Sequence, residues 1–193
     1  MGQADGALAG HMQLHLGCGK RYIPGFVHVD LADFPHIDFR IGIDALSMFA
    51  DNSADLIYCS HAFQYFDRVQ APDVLDEWRR VLRPDGLLRI AVPDIDALVS
   101  VFKVTGELDE ILGPLYGRLP LRTSRGEEIH YHRTAYDFRS LEKLLQESGF
   151  RAVRRYDWRQ TIHRDHDDLS QAYKPHFDRE HGTLVSLNVE ASK

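Results

Sequence analysis

Apolar residues in this chain come in short runs bounded by glycine, proline and acidic residues, and the runs alternate with stretches of helical periodicity. Gln13-Leu14-His15-Leu16 and Val27-His28-Val29 read as strands, and the same criterion predicts strands near 13–16, 26–30, 38–41, 54–59, 86–92, 151–157 and 183–190. Helices are predicted near 70–82, 94–103 and 137–148. In the last of these, Phe138, Leu141, Leu144 and Leu145 share one face, and Ser148-Gly149 closes it. Strands alternating with helices predict an α/β fold, a sheet covered on both faces. Between the fifth strand and the last helix, the stretch 99–133 is interrupted by glycine and proline and predicts an irregular, lid-like insertion in a single domain spanning 12–193.

The first strand runs straight into Gly17-Cys18-Gly19, and the second ends on Asp30. A glycine turn lets a ligand sit against bare backbone, and an acid at the tip of the next strand can grip a ribose. A dinucleotide site wants a third glycine three positions beyond the second, so that a helix N-terminus can meet a pyrophosphate. That position is Tyr22, and Pro24-Gly25 leaves little room for a helix before Asp30. The pattern disfavours a pyrophosphate and points to a cofactor with one ribose, no phosphate and an amino-acid tail: S-adenosylmethionine.

On Leu14-His15-Leu16-Gly17-Cys18-Gly19 and Asp30 the chain resembles the class I S-adenosylmethionine-dependent methyltransferases, in particular the small type-11-like ones. Three further blocks arrive in the family's order. Ile41-Gly42-Ile43-Asp44-Ala45-Leu46 resembles the third strand with its acid, and Ser53 to Phe63 the fourth strand and the turn beyond. Leu75 to Ile90 resembles an amphipathic helix, a Pro-Asp-Gly turn and a fifth strand. The resemblance implies a Rossmann-like seven-stranded sheet, order 3-2-1-4-5-7-6 with strand 7 antiparallel. It implies a cofactor site made of Leu16, Gly17, Cys18, Gly19, Asp30, Leu31, Asp44, Ala45, Leu46, Ser60 and His61, with Asp44 accepting from the adenine amino group. The chain departs from the family in lacking the helices before the first strand and in cutting the helix after the glycine turn to a turn at most. The segment from Val99 to Arg133, or a second copy in a homodimer, is then expected to close that side. Read alone, Asp30 is equally a solvated strand-end acid and Asp44 a helix N-cap for the residues from Ala45.

A chain of 193 residues with 44% hydrophobic content can bury one core, and no apolar run approaches the ~20 residues that cross a bilayer, so a cytoplasmic protein without membrane association is expected. Residues 1–11 carry no targeting pattern and read as a disordered leader or an expression scar. Two cysteines make neither a disulfide framework nor a zinc set, and Cys18 reads as a small residue beside the cofactor. The net charge of -6 speaks against nucleic acid as partner. A local group, Arg118, Arg122, Arg125 and Arg133, can meet an anionic substrate, although solvated loop arginines are the commoner case.

Methyl transfer needs alignment and, for some acceptors, a base to take a proton. His61, His130 and His132 are the candidates, since histidine titrates near neutrality. The chain has neither the Asn-Pro-Pro-Tyr string of the amino-methylating nucleic-acid enzymes nor the cysteine pair of the carbon-5 pyrimidine type, which leaves oxygen or nitrogen of a small molecule. Relatives that begin Leu-His-Leu-Gly-Cys-Gly resemble enzymes of surface-polysaccharide or sugar modification, so a saccharide acceptor is implied by that resemblance. His163, His166, His176 and His181 with Asp165, Asp167, Asp168 and Asp178 carry metal-ligand chemistry without a known ligand spacing. They read as a long polar loop between the last two strands, with no metal. Two other functions fit parts of the pattern: a non-catalytic S-adenosylmethionine-binding or regulatory module, and a nicotinamide oxidoreductase, which Tyr22 and the missing first helix oppose.

Overall fold

Leu14 and Leu16 of the first strand join one apolar core while His15 packs among aromatic rings on the opposite side, and the neighbouring strands repeat that division. The computed structural model describes residues 12–123, 126–176 and 178–193; the predicted leader 1–11 and Arg125 lie outside the described residues. In chain order the elements are β1 (Met12–Leu16), β2 (Val27–Val29), β3 (Ala54–Ser60), α1 (Ala71–Val81), β4 (Leu82–Pro93), α2 (Ile95–Thr105) and α3 (Asp109–Tyr116). There follow β5 (Leu119–Thr123), β6 (Gly126–His130), α4 (Phe138–Glu147), β7 (Arg151–Arg155), β8 (Tyr173–Lys174), β9 (Thr183–Leu184) and β10 (Ser186–Ser192). Six strands form one sheet in the order β2-β1-β3-β4-β10-β7; β1 to β4 pair parallel, and β10 is antiparallel to both its neighbours.

The apolar face of the sheet carries Leu14, Leu16, Ile57, Cys59, Leu88, Ile90, Val92, Leu187 and Val189, packed against Leu75 and Trp78 of α1 and Leu141 and Leu145 of α4. Each such fully buried side chain contributes about 1.5–3 kcal/mol. Helix α1 starts with proline in its first turn and places Arg79 and Arg80 in its last, in line with the helix dipole. Helix α4 starts at a capping box, with Ser140 N donating to Asp137 Oδ1 at 2.7 Å.

The other face is polar and aromatic: His15, His28 and Tyr58, with Arg89, Asn188 and Glu190 farther across. No helix stands between β1 and β2. The cover comes instead from the far end of the chain, through two single-turn 3-10 helices, Trp158–Gln160 and Leu169–Gln171. His163 stacks on Tyr58 with ring centroids 4.0 Å apart, the Tyr58 hydroxyl donates to Asp168 Oδ2, and Asn188 Nδ2 donates to Ser170 O at 2.9 Å.

Three expectations are corrected. The strand expected at 38–41 is a single parallel bridge between Val29 and Phe39, so the sheet has six strands instead of seven. There the chain is tied by side chains, Asp38 accepting from His28 N and the Trp78 indole donating to Ile43 O at 2.6 Å. Residues after Asp44 form turns and no helix, so Asp44 is not an N-cap. The 99–133 stretch is not irregular: it completes α2, makes α3 with Pro114 inside it, and folds the hairpin β5–β6, Leu119 opposite His130.

Candidate functional site

The C-terminal ends of β1, β2 and β3 open on one cavity of about 870 Å³. That is the edge at which open parallel sheets bind ligands. The glycine turn forms its floor. Gly17 has a φ of 65°, and a Cβ there would stand 2.2 Å from that of Ala62, so only glycine fits. Gly19 has a φ of 54° and open space on its bare side, where it lines the cavity. Buried Asp30 holds the turn closed: one carboxylate oxygen accepts from Gly19 N and the other from Ala32 N, each at 2.7 Å. Each oxygen keeps a second lone pair.

The loop carrying Asp44 takes its position from α1. Glu77 accepts from Leu46 N at 2.9 Å, while the Arg80 guanidinium donates to Leu46 O, Phe49 O and Asp51. Trp78 bonds Ile43 O from the same helix.

Past β3 the chain turns through His61, which holds a φ of 53°, unusual for a residue with a Cβ. Its Nε2 lies 2.9 Å from Ser186 Oγ, and the Ser186 hydroxyl donates to Asn188 Oδ1 at 2.9 Å. Asn188 cannot be flipped, because its amide donates to the Ser170 carbonyl. With the serine proton committed, His61 Nε2 must be the donor and Nδ1 carries the lone pair. Burial, with His132 and Arg21 nearby, pushes the His61 imidazole down to about 3. It is therefore neutral at physiological pH.

Residues 29–90 match a family model described as a methyltransferase domain. Solved structures with the same fold include a methyltransferase of Archaeoglobus fulgidus, with a TM-score of 0.55 and 15% identity over 95% of this chain and 86% of that one. Another is a possible histamine N-methyltransferase from Thermotoga maritima (TM-score 0.56, 12% identity, 97% and 84% covered). A third is 1,6-didemethyltoxoflavin-N1-methyltransferase of Burkholderia thailandensis with bound S-adenosylhomocysteine (TM-score 0.53, 15% identity, 94% and 70% covered). Residues 29–90 are thus similar to a methyltransferase domain, and the fold is the one seen in S-adenosylmethionine-dependent methyltransferases. No curated protein matches it by sequence.

The residues present fit that cofactor. Gly19 leaves bare backbone at the cavity, Asp30 and Asp44 supply carboxylates along one wall, and Ser60 Oγ, also on the wall, is buried with no hydrogen-bond partner of its own. The cavity brings together most of the residues singled out from the sequence: Gly17, Cys18, Gly19, Asp30, Leu31, Asp44, Ser60, His61 and His130. Leu16 and Leu46 are fully buried in the core, and Ala45 is exposed outside the cavity wall. His132 also lies outside the wall. Its Nδ1 meets Pro114 O at 3.0 Å and its Nε2 meets the Gln64 amide at 3.2 Å, so both ring nitrogens are spent tying the residues after β6 to α3 and to the turn after β3. His132 is a structural tie and cannot serve as a base.

His130 lines the cavity, with Glu128 Oε2 3.4 Å from its Nε2. Burial raises the Cys18 thiol well above its usual range and that of Cys59 to about 12, which keeps both protonated and excludes a thiolate nucleophile. Of the histidine group at 163–181, His163 is buried in the aromatic stack while His176 and His181 are exposed, and among the described residues no three His, Cys, Asp or Glu side chains converge as ion ligands. No described helix is long and apolar enough to cross a membrane.

Sequence reasoning missed Tyr65, Gln70, the hairpin residues Leu119 and Leu121, and Leu169, all of which line the cavity. Leu119-Pro120-Leu121 did carry a signal, an apolar pair at strand spacing ahead of a charged partner strand. The approach of Leu169 depends on a fold-back that no local pattern encodes.

Proposed function

We propose that this methyltransferase domain transfers the methyl group of S-adenosylmethionine to an oxygen or nitrogen of a small molecule, with a sugar or polysaccharide precursor as the first acceptor class to test. Bound S-adenosylmethionine supplies an electrophilic methyl group on a sulfonium. The observation that carries the reading is His61, a neutral imidazole on the cavity wall whose tautomer is set from behind by Ser186 and Asn188. With Nε2 committed to Ser186, Nδ1 is the ring nitrogen left to take the proton that a hydroxyl or amine loses as it is alkylated. A weakly basic imidazole suffices, because an oxygen that has gained a methyl group while keeping its hydrogen is strongly acidic. The carbonyl of Leu169 beside the ring favours the imidazolium once it forms.

Calorimetry with S-adenosylhomocysteine and S-adenosylmethionine tests the cofactor half, with NAD as control. Asp30→Ala removes both the acceptor oxygens and the staple on Gly19 and should abolish saturable binding; Asp30→Asn should weaken it roughly ten- to a hundredfold, as the loss of a charged hydrogen bond does. Transfer of label from methyl-labelled cofactor to sugar and phenol panels tests the chemistry. Tight cofactor binding without transfer to any acceptor class would favour a non-catalytic binding module.

A further inference from the structure

The two long walls of the cavity differ in charge. All three lining carboxylates, Asp30, Asp33 and Asp44, stand on loops following β2. Lys20 and Arg21 line the glycine turn, and the part of the lining built from the β5–β6 hairpin and the residues just after it contributes Arg122, His130 and Arg133, with no carboxylate among its described residues.

Neither Arg122 nor Arg133 meets a carboxylate among the described residues. Asp30 is engaged by two backbone amides, and Asp33 is paired with Arg40 at 2.6 Å, so neither neutralises the far wall. Arg133 donates to the neutral amide oxygen of Gln70 at 3.1 Å, while its own backbone N–H is fixed on Gln64 O at 2.9 Å. Arg122 stands opposite Glu127 in the hairpin register, yet no ion pair forms between them, and among the described residues no carboxylate pairs with either arginine. Elsewhere in the molecule Arg40, Arg80, Arg83, Arg89, Arg154 and Arg155 each meet a carboxylate. In a chain of net charge -6, two unpaired guanidinium groups on one side of a ligand cavity form a local field for an anion. The guanidinium fork matches carboxylate and phosphate oxygens alike.

We propose that the acceptor is an anion, whose carboxylate or phosphate is held by Arg122 and Arg133 while its nucleophilic oxygen or nitrogen faces His61. This rests on reading the cavity as a methyl-transfer site and narrows the acceptor to acids such as uronic acids, hydroxybenzoates or sugar phosphates.

The test uses the full chain saturated with S-adenosylhomocysteine. Inorganic phosphate, benzoate and neutral benzamide are titrated separately into wild type, Arg122→Gln, Arg133→Gln and the double variant. Acceptor turnover is then compared within matched pairs: glucuronate and glucose 6-phosphate against glucose, and 4-hydroxybenzoate against 4-hydroxybenzamide. We expect an anion to bind and benzamide not to, each single variant to weaken the anion about tenfold or more, and added salt to weaken it further. S-adenosylhomocysteine affinity should stay unchanged in all three variants. Charged acceptors should outperform their neutral partners, with that preference lost in the double variant; the phosphate and carboxylate arms show which oxyanion the wall takes. Cofactor binding with no anion binding, with equal anion binding in the double variant, or with neutral acceptors preferred would overturn the proposal. Failure of wild type to bind S-adenosylhomocysteine would overturn the methyl-transfer reading and the proposal with it.

Discussion

At the scale of single residues, the site depends on which hydrogen each polar group has left to give. Ser186 has one proton and spends it on Asn188, so His61 has to donate from Nε2. Ser186→Ala removes that constraint and lets the ring adopt the other tautomer. Turnover should fall roughly tenfold or more, as when a triad histidine loses its orienting acceptor, while S-adenosylhomocysteine affinity holds. Ser186→Thr keeps a hydroxyl and should recover most of the loss; steady-state rates and calorimetry on the two variants separate orientation from simple destabilisation. His61 itself was legible from the sequence, as a histidine directly after the fourth apolar run. Its partners were not, because Ser186 lies 125 positions away and meets it only through the pairing of β10 with β4.

At the scale of elements, strand and helix periodicity gave β1, β2, β3, α1, α2 and α4 to within a few residues, since each has an apolar face that must be buried. It failed at 38–41, where apolar residues alternate in the right way but the backbone meets β2 only around the Val29–Phe39 bridge before the chain turns toward α1. It failed again at α3, where Gly113 and Pro114 read as breakers although a two-turn helix tolerates them. The loop that replaces the expected strand makes α1 a part of the site. Arg80→Ala withdraws donors from two loop carbonyls and from Asp51, each bond contributing about 1 kcal/mol. Cofactor affinity should drop severalfold with a fall of about 2–4 °C in melting temperature per kcal/mol lost, read by calorimetry and thermal melts.

At the scale of the whole molecule, the cover on the polar sheet face sets the response to acid. Burial pushes His61 and His163 down to about 3 and His15 well below its usual value, with neighbouring histidines and arginines adding to the effect. The unfolded chain takes up these protons near pH 6.5 and the folded one does not, so stability is lost as pH falls from about 6.5 toward 3. By about pH 5 each of the three costs at most ~2 kcal/mol. Thermal melts at about pH 7.5 and pH 5 should show a loss of several degrees, and His163→Phe, which keeps a ring on Tyr58 without the titration, should melt higher than wild type at the lower pH. The order in which the chain is made adds one more constraint. The segment that covers the His15 side of β1 begins at Trp158, so it leaves the ribosome roughly 140 residues after β1. At ~5–20 residues per second that is about 7–28 s, during which a face of leucine and valine would invite aggregation. A face of histidine, tyrosine and arginine can wait in water for its lid.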